Sequence, residues 1–260
     1  MKRFFLLCFV LLFPVTAAAM EIASPSEYGR VVINNYSEKS GMAPAVFDHW
    51  LHRSMYTCRL CHIDIGFAME AGGTNITKEG NFGGYYCGAC HDGNREYAGR
   101  KIFPACSDQP SADDMKRCDR CHSLGKNVKK EYEFSEFAAK LPQKGLGNNI
   151  DWEEAEALRL IRPADFVKGL SIKRPALKPQ EDFSIKSHSS WMSDVIFSHK
   201  KHAIWNGCEV CHPEIFPAME KSSARFSMLD IYEGQYCGVC HDKVAFPLRE
   251  CQRCHVNPVQ

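Results

Sequence analysis

Cys58-Arg59-Leu60-Cys61-His62 and Cys208-Glu209-Val210-Cys211-His212 are two of six copies of one pentapeptide. The others are Cys87-Gly88-Ala89-Cys90-His91, Cys118-Asp119-Arg120-Cys121-His122, Cys237-Gly238-Val239-Cys240-His241 and Cys251-Gln252-Arg253-Cys254-His255. Cys-x-x-Cys-His is the attachment signature of c-type haem. Its two thiols form thioethers to the porphyrin, and the adjacent histidine becomes the proximal ligand of the iron. The six copies use twelve of the fourteen cysteines, leaving only Cys8 and Cys106. Zinc sites would need these pairs to combine into tetrahedra. A disulfide-stapled domain gives no reason for a histidine after every second cysteine. The pattern predicts six covalently bound haem c groups, each with its iron.

The N-terminus bears on where such chemistry can happen. Met1 to Ala19 has a basic start at Lys2 and Arg3, an apolar run from Phe4 to Val15, and small residues at Ala17-Ala18-Ala19. This is the pattern of a cleaved signal peptide, too short to span a bilayer. Cys8 lies within the apolar run, so it is expected to leave with the peptide. Haem attachment outside the cytoplasm agrees with export. The expected location is the periplasm, with the cell exterior or the outer membrane as alternatives, and no membrane-spanning segment.

The mature chain would offer 241 residues to six haems, about 40 each. At that density the porphyrins themselves form much of the apolar interior. The expected fold is mostly irregular, with short α-helices wrapped around the haems. Without Lys2 and Arg3 the chain carries 30 basic and 31 acidic residues. Propionates and iron bring the net charge to roughly −7 oxidised and −13 reduced. No basic excess points to nucleic acid. Partners with basic docking patches fit better.

Working outward, the chain divides into repeats. Residues 20–45 read as a loosely ordered lead-in. Phe47-Asp48-His49-Trp50-Leu51-His52 precedes the first motif, and Phe197-Ser198-His199-Lys200-Lys201-His202 precedes the fourth. In both cases 24 residues separate the motif histidine from the next cysteine, His62 from Cys87 and His212 from Cys237. The two stretches align without gaps. Phe67-Ala68-Met69-Glu70 faces Pro217-Ala218-Met219-Glu220, and Gly84 to Asp92 faces Gly234 to Asp242. The chain is an internal duplication of a three-haem unit, with modules at 46–122 and 191–260.

Residues 123–190 hold no haem motif. Asp151 looks like a helix N-cap, and Ala155, Leu158 and Ile161 follow at helical spacing until Pro163. The spacing predicts a helix near 152–161 within a strap that crosses one or both modules and fixes their relative position.

The Phe-x-His-x-x-His stretch followed by three Cys-x-x-Cys-His motifs resembles the cytochrome c7 family, the triheme relatives of cytochrome c3. The chain looks like a tandem pair of such modules, over roughly 46–122 and 196–258. The resemblance implies that His49 pairs with His62, His52 with His91, His199 with His212 and His202 with His241. Two histidines three apart share one helix face, so they can serve neighbouring haems. Small c7 proteins supply another histidine before the middle motif, but Gly83 and Glu233 stand there. With five histidines outside the motifs, six bis-histidine haems are impossible. In the second module Met228 is placed like the methionine that some c7-type modules use, with Met219 as competitor and plain packing as a further alternative. In the first, the haem of His122 could take Met69, Lys78, His188 or nothing. Cys106 is a free thiol in an inserted loop and a weaker candidate.

The resemblance implies an electron carrier in anaerobic respiration, with no catalytic residue. Its partners would be membrane quinol-oxidising cytochromes, terminal reductases or outer-membrane conduits. The alternative is a multihaem reductase for nitrite, hydroxylamine or a sulfur oxyanion, which needs one open iron.

Overall fold

The computed structural model describes residues 23–106, 116–124, 133–176, 178, 180–217 and 226–256. The signal-like N-terminus, Met219 and most of the loop after Cys106 lie outside them. Regular structure is sparse, as a haem-filled interior demands, and it consists of short helices and two-stranded hairpins.

Each module begins with an antiparallel hairpin. β1 (Arg30–Ile33) pairs with β2 (Ala45–Asp48). β5 (Phe183–Ile185) pairs with β6 (Val195–Phe197), and a small hairpin of β3 (Glu96–Tyr97) and β4 (Arg100–Lys101) lies in the first module. The hairpins differ from the sequence expectation in a physical way. Four residues of the "loose" lead-in, Arg30–Ile33, form a strand, because β2 would otherwise leave its ladder groups unpaired. For the same reason the last part of the strap is a strand of the second module.

The second strand of each hairpin runs straight into the helix that carries the histidine pair, His49–Arg53 in module 1 and His199–Asn206 in module 2. The third motif of each module then returns to that strand. Val46 N–H donates to Cys121 O at 2.8 Å, and Ile196 N–H donates to Cys254 O at 3.1 Å. Each unit is thereby closed on itself.

The middle motif is held by a second short helix, Lys78–Phe82 or Met228–Tyr232. Both helices start on a hydroxyl N-cap: Thr77 accepts from Gly80 N–H, and Ser227 forms a capping box with Asp230. Their carbonyls press against the glycine of the motif. A Cβ on Gly88 would lie 1.8 Å from Asn81 O, and one on Gly238 would lie 1.9 Å from Ile231 O. Only glycine admits this approach.

The segment between the modules has a core of its own. Ala138, Leu141, Ile150, Ala155 and Ile161 are buried together, with Phe134, Phe137 and Trp152 packed against them. Asp151 caps the helix Trp152–Ala157 by accepting from Glu154 N–H, as its sequence suggests. The helix stops before Pro163, however. Arg159 turns left-handed at φ 58°, with Leu160 N–H bonded to Ala155 O and Arg159 N–H to Glu156 O. This pair of bonds is a Schellman stop. It leaves Leu158, expected on the core face, 58% exposed, while Ile161 still reaches the core.

This segment touches both modules. Trp50, 3% exposed, packs its indole on Phe134 and Phe137 at 5.3 and 5.0 Å. On the opposite side Lys201 pairs with Glu153 at 2.7 Å, and Trp205 Nε1 donates to Glu156 at 2.5 Å. The first motifs of the two modules also meet. Arg59, almost fully buried, pairs with Asp165 and lies 4.0 Å from Glu209. Arg174 joins the fully buried Asp64 side chain at 2.7 Å to Glu209 at 2.6 Å. The N-terminal turn reaches across as well, where Tyr28 hydroxyl donates to Ala245 O at 2.5 Å.

Candidate haem sites

All six motif histidines are anchored in the same way. Nδ1 lies 2.9 Å from Phe67 O for His62, 3.1 Å from Phe103 O for His91 and 2.7 Å from Ala43 O for His122. In the second module the distances are 2.6 Å from His212 to Phe216 O, 3.1 Å from His241 to Phe246 O and 2.6 Å from His255 to Ser193 O. A carbonyl can only accept, so Nδ1 must carry the proton and donate. Nε2 is then left with its lone pair free for a metal, oriented by the backbone behind it.

Three histidines outside the motifs share this arrangement. His49 donates to Gly29 O at 2.7 Å, His52 to Asp48 O at 3.2 Å and His202 to Ser198 O at 2.8 Å. Burial pushes His49, His52 and His241 down to about 4, and it also lowers His62, His91 and His202. These imidazoles are neutral at pH 7, the form that binds iron.

Three pairs of histidines are also brought close together. His49 and His62 are parallel within 4° with ring centroids 6.4 Å apart. His52 and His91 stand 6.4 Å apart, and His202 and His241 stand 6.2 Å apart. Two imidazoles on one metal, each through a bond of about 2.0 Å, would have centroids roughly 6.3 Å apart. His199 and His212 do not form a ring pair of this kind. His199 has Phe183 and Phe197 at its edge, and His212 has Phe216 nearby.

Phenylalanines set these rings in position, a role that the motif spacing does not reveal. Phe47 lies against both His49 and His52 at 4.8 and 4.3 Å, and Phe197 lies against His199 and His202 at 5.1 and 4.5 Å. Phe103 and Phe246 supply the carbonyls for the middle histidines and also touch their rings, at 4.6 and 4.3 Å. Over the Phe103 and Phe246 rings lie Arg120 and Arg253, from the third motifs, at 4.7 and 4.0 Å. The shared Cys-x-Arg-Cys-His of both third motifs is the sequence signal for this contact.

Among the described residues no cysteine is paired in a disulfide. Burial pushes Cys61, Cys87 and Cys240 up to about 12, and Cys211 and Cys237 up to about 11. Such dry surroundings suit an uncharged thioether. Thiol pairs, proximal imidazoles with free Nε2 and opposed imidazoles at iron-bridging distance together fit haem c.

The candidates for the two third haems are less enclosed. Met228 begins its helix and is 41% exposed. Lys78 occupies the equivalent place and lies over Phe82 at 5.2 Å. Met69 is half-buried, and His188 is exposed in the loop between β5 and β6. Cys106 accepts from Asn81 Nδ2 at 3.8 Å, beside the middle motif's helix.

A sparse fold closed around six thiol-pair sites, each with an oriented imidazole, is that of a multihaem c-type cytochrome. The model of the family "cytochrome c7 and related cytochrome c" matches residues 45–123 and 195–256, more than half of the chain, and the chain belongs to that family. Among solved structures it is similar to a c7-type three-haem cytochrome domain, with 34% identity over 30% of this chain and 95% of that one (TM-score 0.27). It is also similar to the C-terminal and N-terminal hexahaem fragments of a dodecahaem cytochrome c. The C-terminal fragment is 24% identical over 87% of this chain and 96% of its own, with a TM-score of 0.27. The N-terminal fragment is 22% identical over 87% and 98%, with a TM-score of 0.26. No curated protein matches the chain. Among the described residues no helix is long and apolar enough to cross a membrane.

Proposed function

We propose that the chain is an exported six-haem electron carrier with axial pairs His49–His62, His52–His91, His199–His212 and His202–His241. The observation that carries this reading is the three imidazole pairs His49–His62, His52–His91 and His202–His241, each spaced to fill both axial positions of an iron and leave a substrate no place on it. The pair His199–His212 follows from the duplication. When bound, each haem takes up and releases one electron at its iron. The chain's own residues bind and orient the group. The thiol pairs fix each haem covalently, the carbonyls behind Nδ1 hold the imidazole plane, and the buried surroundings set the potential. The signal pattern of Met1 to Ala19 supports a periplasmic location. The acidic charge of the loaded protein supports brief, steered encounters with redox proteins that present basic patches.

Electron paramagnetic resonance of the oxidised holoprotein tests this reading. Six low-spin ferric haems are expected. A stoichiometric high-spin iron that shifts on adding nitrite or cyanide would instead mark an open site and a reductase.

Met228 is proposed as the distal ligand of the haem of His255. A thioether favours ferrous iron over ferric, so Met228→His is expected to lower that haem's potential. An unchanged potential in a spectroelectrochemical titration would remove Met228 from the ligand set.

A further inference from the structure

The helix His49–Arg53 ends on a residue that the duplication does not repeat. At the aligned position the second module has Ala203. The Arg53 guanidinium lies between two indole faces, 4.4 Å from Trp152 and 5.3 Å from Trp205, one from the connecting segment and one from module 2. It donates to Val244 O at 2.9 Å, and Val244 N–H in turn donates to Cys240 O at 2.9 Å. With Cys58, Trp152 and Trp205 it lines one small cavity at the junction. A fixed cation thus sits between an attachment cysteine of the first haem of module 1 and one of the middle haem of module 2.

Arginine keeps its charge in such surroundings, and stacking on indole holds it without neutralising it. Val244 offers only a carbonyl dipole, and the Glu156 carboxylate beyond Trp205 offsets part of the charge without pairing with it directly. Ferric haem carries one more positive charge than ferrous haem, so a nearby cation in a poorly solvated junction favours the ferrous form. We infer that Arg53 is a potential-setting residue: from the module junction it raises the reduction potentials of the haems attached at Cys58/Cys61 and Cys237/Cys240, so that electrons collect where the modules meet. This rests on the electron-carrier reading and adds a specific asymmetry to it.

The test is a reductive titration of the six-haem protein that resolves individual haems, for example by their paramagnetic proton resonances. In Arg53→Gln the ferrous-to-ferric ratio at a fixed potential should fall about tenfold at those two haems, which is 59 mV for a one-electron couple. The haems at Cys118/Cys121 and Cys251/Cys254 should stay in place, and Arg53→Lys, which keeps the charge, should leave all six near their original values. No shift, or one equal shift of all six, overturns the inference. Should Arg53→Gln fail to take up six haems, the unsubstituted protein decides. Among the four haems with proposed histidine pairs, those at Cys58 and Cys240 must be reduced ahead of those at Cys87 and Cys208, and the reverse order overturns it. A stoichiometric high-spin iron would sink the carrier reading while leaving these shifts readable.

Discussion

Trp50→Ala is expected to lower the unfolding free energy by about 3–5 kcal/mol, the cost of removing a buried aromatic that its surroundings cannot replace. The indole is 3% exposed and fills the space between the histidine-bearing helix and the phenylalanines of the connecting segment. The aligned residue of module 2 is Lys200, which is exposed, so the loss falls on one side of the molecule only. Denaturant unfolding of the holoprotein, followed by far-ultraviolet circular dichroism, measures it. Trp50→Phe provides the control. The buried indole Nε1 finds no acceptor among the described residues, so phenylalanine keeps most of the packing and removes an unsatisfied donor. It should cost less than about 1.5 kcal/mol. A small loss in Trp50→Ala would mean that the connecting segment is not anchored through this residue.

Gly238→Ala and Gly88→Ala should be comparably harmful for a different reason. The new methyl would meet a helix carbonyl at 1.9 or 1.8 Å, far inside contact distance, and the obstacle is backbone rather than a yielding side chain. The capped helices Met228–Tyr232 and Lys78–Phe82 would have to move away from the middle motifs. A cost of about 3 kcal/mol or more is expected, together with incomplete attachment at the affected site. Haem content per chain, from the absorbance of the pyridine complex, and denaturant unfolding together decide. Full loading with unchanged stability would show that the helix is not seated on the glycine.

Much of this architecture is legible in the sequence because covalent cofactor chemistry demands fixed spacing. Six pentapeptides, the Phe-x-His-x-x-His stretches and the gapless alignment between them give the class and the duplication, and they name the histidines whose rings lie 6.2–6.4 Å apart in three pairs. What is not legible depends on residues distant in sequence or on backbone alone. The carbonyls that hold the proximal imidazoles belong to residues as different as Ala43, Phe67 and Ser193, since a carbonyl leaves no mark on residue type. β1 and β5 lie in stretches without strong alternation and become strands only because β2 and β6 need partners. The early helix stop at Arg159 uses a left-handed residue that is not glycine, so the usual sign is missing. The meeting of Arg59 with Glu209 joins the variable positions of two motifs, which spacing rules treat as free.

The contact from Tyr28 to Ala245 spans 217 positions, and Asn148 ties the same N-terminal turn to the connecting segment through Pro25 O and Tyr28 O at 2.7 and 2.9 Å. The turn that carries Pro25 and Tyr28 is therefore latched onto the stretch between the last two attachment sites. Such a latch makes the two modules one mechanical unit rather than two. A cut at the module border would leave Arg53, Arg59 and Tyr28 without their partners across the junction.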